Sequence, residues 1–337
     1  MSQRMRVLAL CVIALVIVGG STAYVLSSRS ARLQAIAAAP SQPTVSAAVV
    51  ASGPRIVFRN TAIGPNYGRV GMVPIGSPAG PRAFSDIWCD RVFASQRNTL
   101  CLASDRGVVT TYTGTVHSNG DAAPVQVPLP GLPSRARLSG DGTLTATTSF
   151  VSGDSYADTG FSTRTVVTSL AGHWSRDLET ATLLHGGQRI NPPDRNYWGV
   201  TFAPDHDTVF VTVAFGGATH LATGKLSTST FQTIRTDAEC PSLSPDGTRV
   251  AYKKRGDRGP GEWRIAVLDL ATGRETMLAE SQSVDDQVEW LDNDTLIYGL
   301  PMAGSNAARS NVWKVPADGT GLPSILIHDA WSPAVVR

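Results

Sequence analysis

Ser244-Pro245-Asp246-Gly247-Thr248, inside the stretch Cys240–Lys254, constrains this chain more than any other feature, because it recurs. Pro presets φ for the first turn position, Asp bonds its own backbone, and Gly takes a positive φ. Val250 and Tyr252 then alternate with Arg249 and Lys253, the period of a half-buried strand. The unit is strand, tight turn, strand, and one such hairpin cannot bury its apolar face alone.

Variants of the unit occur at Arg137–Thr143, Thr201–Thr208 (one residue longer) and Glu289–Thr295, with a degenerate copy at Phe93–Thr99. The turn threonines Thr99, Thr143, Thr208, Thr248 and Thr295 stand 44, 65, 40 and 47 positions apart. A second strand–turn–strand element follows each hairpin, as in Arg264–Gly273 and Val312–Gly319. A period of roughly 40–50 residues with about four short strands per unit is the signature of a propeller blade. Apolar residues make up 42% of the chain and charged residues 17%, with 32 Gly and 21 Pro, which suits many short strands and turns.

The SPDGTRVAY hairpin followed by VLDLATG resembles the repeat of the TolB-like six-bladed β-propellers. The resemblance spans roughly Arg55 to Arg337 and is strongest at Cys240–Leu278. It implies a fold and a habit of binding other molecules through loops, and it implies no reaction.

Complete repeats begin near Asp86, Ser134, Asn196, Ala238 and Val284. Arg55–Ile75 holds later strands without an inner strand, and Ala330–Val336 is an inner strand with nothing after it. Joined, the two fragments make a sixth blade and close the ring, which removes open sheet edges. The expected fold is therefore an all-β propeller of six four-stranded antiparallel blades, closed by pairing of the C-terminal strand with the N-terminal blade. Trp331-Ser332-Pro333 aligns with Leu243-Ser244-Pro245. Phe93, Leu138, Phe202, Leu243, Trp290 and Trp331 then share one repeat position, read as packing between blades.

Val7–Leu26 carries no charge over 20 residues, long enough to span a bilayer as a helix. Arg4 and Arg6 precede it and predict a cytoplasmic tail at residues 1–6 with the propeller outside. The alternative is a cleaved signal peptide with Ser21-Thr22-Ala23 as its small-residue site. The extension through Tyr24-Val25-Leu26 favours an anchor, and Cys11 reads as an apolar filler within it. Residues 27–54, rich in Ala, Ser, Pro and Gln, read as a flexible stalk, and residues 55–337 as the propeller. Setting aside Arg4, Arg6, Arg29 and Arg32, 25 basic residues face 27 acidic ones. That balance gives no basic footprint for nucleic acid.

Cys89 and Cys101 flank the first hairpin. With a turn near Ser95 they face each other across two antiparallel strands, within disulfide range, and an extracytoplasmic location favours oxidation. Cys240 reads as a small buried residue. The six histidines lack metal-ligand spacing, and Asp292-Asn293-Asp294 and Asp285-Asp286 lack the Gly and Glu of a calcium loop. There is no G-x-S-x-G elbow. No cofactor, metal site or catalytic set is predicted.

The loops entering the inner strands surround the axial funnel at one face. They offer Asp86, Arg135, Tyr197, Glu239, Asp286 and Asp329 as candidate rim residues. Four of the six are acidic, so an electronegative mouth is expected. The functional expectation is a membrane-anchored, extracytoplasmic, monomeric propeller. It binds a protein or another cell-envelope component without catalysis. The alternative is a carbohydrate lyase or hydrolase with its site in the axial funnel.

Overall fold

The repeated turns fold as their chemistry requires. In a computed structural model that describes residues 3–38, 42–120, 122–151, 162–304 and 308–337, Asp246 accepts from Ser244 Oγ at 2.5 Å and from Thr248 N and Oγ1 at 3.0 and 2.9 Å. Asp141 repeats the arrangement with Ser139 and Thr143. Each turn closes a strand pair, and six sheets result.

Blade 1 holds β1 (Arg55–Asn60), β2 (Arg69–Pro74) and β3 (Ala83–Trp88). Blade 2 holds β4 (Arg91–Ala94), β5 (Asn98–Arg106), β6 (Thr110–Ser118) and β7 (Val125–Val127). Blade 3 holds β8 (Leu132–Leu138), β9 (Leu144–Val151), β10 (Ser162–Ser169) and β11 (Trp174–Asp177). A hairpin of β12 (Thr182–His185) and β13 (Gln188–Ile190) follows. Blade 4 holds β14 (Asn196–Phe202), β15 (Thr208–Phe215), β16 (Ala218–Lys225) and β17 (Thr230–Thr236), and β12 pairs parallel with β17 to extend it to six strands. This hairpin accounts for the wide interval between Thr143 and Thr208. Blade 5 holds β18 (Glu239–Leu243), β19 (Arg249–Lys254), β20 (Arg264–Asp269) and β21 (Glu275–Met277). Blade 6 holds β22 (Glu289–Trp290), β23 (Thr295–Pro301), β24 (Ser310–Pro316) and β25 (Ser324–Ile327).

The last strand, β26 (Ala330–Val336), is the inner strand of blade 1 and pairs antiparallel with β1, Ile56 opposite Val335 and Val57 opposite Ala334. The ring is therefore closed by the first and last strands of the propeller, as expected. Apolar clusters cross the blade boundaries. Ile56, Phe58 and Val73 of blade 1 pack with Ile297, Val312 and Ile327 of blade 6.

The backbone corrects the alignment of the closing strand. A bulge interrupts β26 between Trp331 and Ala334, β18 between Glu239 and Ser242, and β14 between Trp198 and Thr201. Inside these bulges Ser332, Cys240 and Gly199 have φ of 54°, 51° and 66°. Trp331 thus corresponds to Glu239 and Trp198, and Val335 takes the place of Leu243. In blade 2, Ala94 rather than Phe93 precedes the turn, because Ser95 N bonds Asn98 O as Ser139 N bonds Leu144 O. Trp290 is fully buried as predicted, its Nε1 donating to Ser242 O at 2.9 Å. Trp331 is half-buried and lies so close to Gly299 that a Cβ there would come within 2.4 Å of its ring.

The N-terminal region also departs from expectation. Helix α1 runs from Gln3 to Ala38, beyond the predicted span of residues 7–26, and is long and apolar enough over Gln3–Ala31 to cross a membrane. Part of the predicted stalk is ordered. Helix α2 (Ala47–Ala51) belongs with the propeller, Val50 is buried, and Val45 N and Arg82 N exchange bonds with Arg82 O and Pro43 O at 2.9 and 3.0 Å. Residues 39–41 of the predicted stalk lie outside the described residues.

Candidate functional site

The inner strands are β26, β4, β8, β14, β18 and β22 in ring order, and the turn hydrogen bonds of the last five strands fix which side chains share a level along the axis. Nearest the turns, Arg137 of blade 3 and Glu289 of blade 6 form a buried ion pair, and Arg137 Nη2 donates to Val288 O at 3.2 Å. One level on, Arg91 Nη1 meets Asp286 at 3.0 Å, and Arg135 Nη2 meets Asp285 at 3.0 Å. Arg135 Nε also donates to Cys240 Sγ at 3.4 Å, and Gln287 Nε2 to Val200 O and Pro241 O at 3.0 and 2.9 Å. Blades 2 and 3 supply the cations and blade 6 the anions, so these pairs tie opposite sectors of the ring together.

The pairs fill the axis. Between Arg91, Arg135, Arg137, Asp286 and Gln287 only about 20 Å³ remains, room for one water. Burial raises the Glu289 carboxyl above the usual carboxylate range, with Arg137 and Arg337 opposing. Among the described residues, no three His, Cys, Asp or Glu side chains are placed to hold a metal ion.

The predicted rim residues separate into three groups. Asp86 lies on β3, the outermost strand of blade 1, almost fully exposed and paired with Arg69 at 2.5 Å. The repeat seen near Asp86 begins with the last strand of the preceding blade, and the inner strand of blade 2 starts only at Arg91. Tyr197 is fully buried, its ring 6.0 Å from that of Phe231. Asp286 and Asp329 are buried and paired, Asp286 with Arg91, and Asp329 accepting from Arg309 Nε and Nη2 at 2.5 and 2.9 Å. Their charges are neutralised within the fold and do not make an acidic mouth. Arg135 and Glu239 come together in one cleft.

That cleft, about 360 Å³, opens where the inner strands begin and lies between blades 3, 4 and 5. Phe150, Trp198, Trp263, Glu239, Lys253 and Asp285 contribute to its walls, with Ser134, Arg135, Thr163 and Asn196. Trp263 Nε1 donates to Glu239 Oε1 at 2.8 Å. Lys253 is buried, with Nζ 2.7 Å from Asp285 Oδ1 and 3.9 Å from the centre of the Trp263 ring. Burial pushes the Asp285 carboxyl up, but Lys253 and Arg135 outweigh it and hold the group below the usual range. Trp198 points away from buried Tyr197 because successive strand side chains alternate.

Sequence reading missed Trp198, Trp263 and Asp285. Trp198 neighbours a chosen residue, and Asp285 adjoins Asp286. Trp263 follows the Gly-rich segment Arg255–Glu262, in the connection between β19 and β20. At the opposite face, where the turns lie, a second and wider funnel of about 580 Å³ is lined by Phe202, Leu243, His206 and Arg337, together with the buried Arg137–Glu289 pair. His206 Nδ1 there stands 3.3 Å from Asp141 Oδ1.

No known protein family profile matches the chain. Over 99 residues it is 31% identical to the probable dipeptidyl-peptidase 5 of Aspergillus flavus and to dipeptidyl-peptidase 5 of Aspergillus oryzae. The match takes in 28% of this chain and 13% of the length of either relative. Among solved structures, the chain is similar to TolB from Acinetobacter baumannii, with 14% identity, a TM-score of 0.55, and coverage of 84% of this chain and 67% of TolB. A chain of a nidogen–laminin complex aligns with 13% identity and a TM-score of 0.56 over 84% of this chain and 98% of its own. A puromycin-hydrolyzing peptidase of Mycobacterium tuberculosis aligns with 13% identity and a TM-score of 0.50 over 82% of this chain and 43% of its own. At these identities the likeness is one of fold. The chain is a six-bladed β-propeller of the kind found in TolB, preceded by an apolar helix.

Proposed function

We propose that this protein is a tethered binding module of the bacterial cell envelope. Its propeller is held on the extracytoplasmic side by helix α1, and a component of the envelope binds at the cleft between blades 3, 4 and 5. One observation carries the reading. The axis, where catalytic groups of separate blades could converge, is occupied by ion pairs that hold the ring, while a cleft beside it keeps aromatic and carboxylate groups facing solvent. Arg4 and Arg6 before the apolar run support the topology, and the Cys89–Cys101 disulfide suits an oxidising compartment. The likeness to TolB and to the nidogen–laminin chain supports a role in association.

Protease added to spheroplasts should digest the propeller while a cytoplasmic control survives. Crosslinking of the full chain in membranes should retrieve a defined envelope component. A protected propeller would overturn the topology, and retrieval of nothing above background would overturn the binding role.

A second reading is an enzyme. The 99-residue match to dipeptidyl-peptidases favours it. Turnover of a peptide or envelope polysaccharide by the purified chain, abolished by substitution of Glu289 in a variant that still folds, would establish it over the first.

A further inference from the structure

We infer that the cleft between blades 3, 4 and 5 binds a neutral glycan, stacked on Trp198 and held by hydroxyl hydrogen bonds to Glu239 and Asp285. The inference rests on the binding-module reading and names its ligand class.

The cleft's charges select against anions. Its two cations, Arg135 and Lys253, both bond Asp285 Oδ1, and Arg135 donates further to Ser134 O and Cys240 Sγ. Both cationic side chains are buried. The acidic side is the open one. Asp285 is 64% exposed, and its Oδ2 has no bonding partner among the described residues. Glu239 uses Oε1 for Trp263 and leaves Oε2 with none. Two carboxylate oxygens are thus available to a ligand that brings hydrogen-bond donors and no negative charge.

The aromatic groups complete the specification. Trp198 and Trp263 are both partly exposed in the cleft, whereas Trp290, Tyr252 and Tyr298 are fully buried. Trp263 is held rigid from two sides, by Glu239 at Nε1 and by the Lys253 ammonium over its ring. An indole face beside open carboxylates matches a pyranose, whose C–H face is apolar and whose rim is a ring of hydroxyl donors. The volume, about 360 Å³, lies at the small end of ligand sites, roughly 300–1,000 Å³. It suits one or two sugar rings of a longer chain. The bond that fixes Trp263 and Glu239 to each other lowers the entropic cost of holding such a ligand.

The test uses the full chain in zwitterionic detergent micelles. Soluble tetrasaccharides of glucose, mannose, galactose and N-acetylglucosamine are titrated against tryptophan fluorescence and by calorimetry. Saturable binding of at least one, in roughly the micromolar to millimolar range, is expected. Trp198→Ala and Glu239→Gln should each weaken it by about tenfold or more, with melting temperature unchanged, and Trp198→Phe should restore most of the affinity. No binding by any of the four, or binding that both variants leave intact, overturns the inference. So does competition by a Lys-rich peptide at equal concentration, which would assign the cleft to a cationic peptide. Membrane crosslinking that still retrieves an envelope component in such a case leaves the binding-module reading standing and the glycan assignment fallen.

Discussion

Arg91 and Asp286 are 195 positions apart and meet at 3.0 Å. Asp286 is buried, and its other oxygen accepts from Gly299 N at 3.0 Å in blade 6. The Arg91 guanidinium lies 5.0 Å from the centre of the Trp331 ring on the closing strand. One carboxylate therefore links blades 2 and 6 beside the closing strand. Removing it strands a buried guanidinium and a buried N–H. Asp286→Ala should cost about 3–5 kcal/mol, measured by urea unfolding. A loss of under about 1 kcal/mol, the value of an exposed pair, would show that this contact does not hold the ring.

The Cys89–Cys101 disulfide joins blade to blade. Cys89 follows β3 and bonds Gly68 O in blade 1 through its N–H, whereas Cys101 lies on β5 in blade 2. The residue opposite Cys101 in the ladder is Val92, so the cysteines are offset rather than facing, with Cα atoms 5.4 Å apart. The two cysteines are 12 positions apart, and a loop this short gives about 2–3 kcal/mol in the chain-entropy account. Reduction should lower the melting temperature by several degrees. Paired peptides in a non-reducing digest check the bond itself, and both cysteines found as free thiols would refute it.

The hairpins were legible because their chemistry is local. Asp141 and Asp246 each find Ser and Thr partners within two or three residues. Closure was legible because Ala330–Val336 carries the inner-strand pattern that Arg55–Ile75 lacks, and β26 pairs with β1. The alignment of Trp331 was not, because Ser332, Cys240 and Gly199 share a left-handed backbone and no side-chain type. The axial pairs escaped for a different reason: Arg137 and Glu289 are 152 positions apart, and nothing local distinguishes them from solvated charges. Of the six rim candidates, the two that line the cleft were found through the topology. Tyr197 failed because a shift of one residue on a strand exchanges core for surface.

Glu179 makes stability depend on pH. Burial pushes its carboxyl up to about 8, against the opposing bond from Tyr197 N at 2.8 Å. The unfolded chain releases this proton near the ordinary value of 4.5, while the folded state keeps it to about pH 8. Between those values the folded state binds more protons at this group, so the Glu179 contribution to stability is fully present below pH 4.5 and is lost as pH rises towards 8. Glu179→Gln should flatten that decline in melting temperatures taken across the window. A wild-type slope identical to that of the variant would show that the carboxyl is solvated.

The closing strand tests the fold most directly. Deleting Ala330–Arg337 removes the inner strand of blade 1 and leaves the edge of β1 open. It also uncovers Ile56 and Val57, removes the Trp331 ring that lies against Gly299, and removes Val335 from the cluster joining blade 1 to blade 6. Losing one fully buried large side chain costs about 3–5 kcal/mol, and half-buried Trp331 less, against a typical total of roughly 5–15 kcal/mol. The deletion removes several side chains and a strand's backbone bonds together. The truncated chain should aggregate or melt far below the intact protein. The milder change Gly299→Ala forces a methyl into the Trp331 ring without touching β26, and should shift the melting temperature in the same direction by less. A truncated chain that melts with the intact one would mean that the ring does not depend on its last strand.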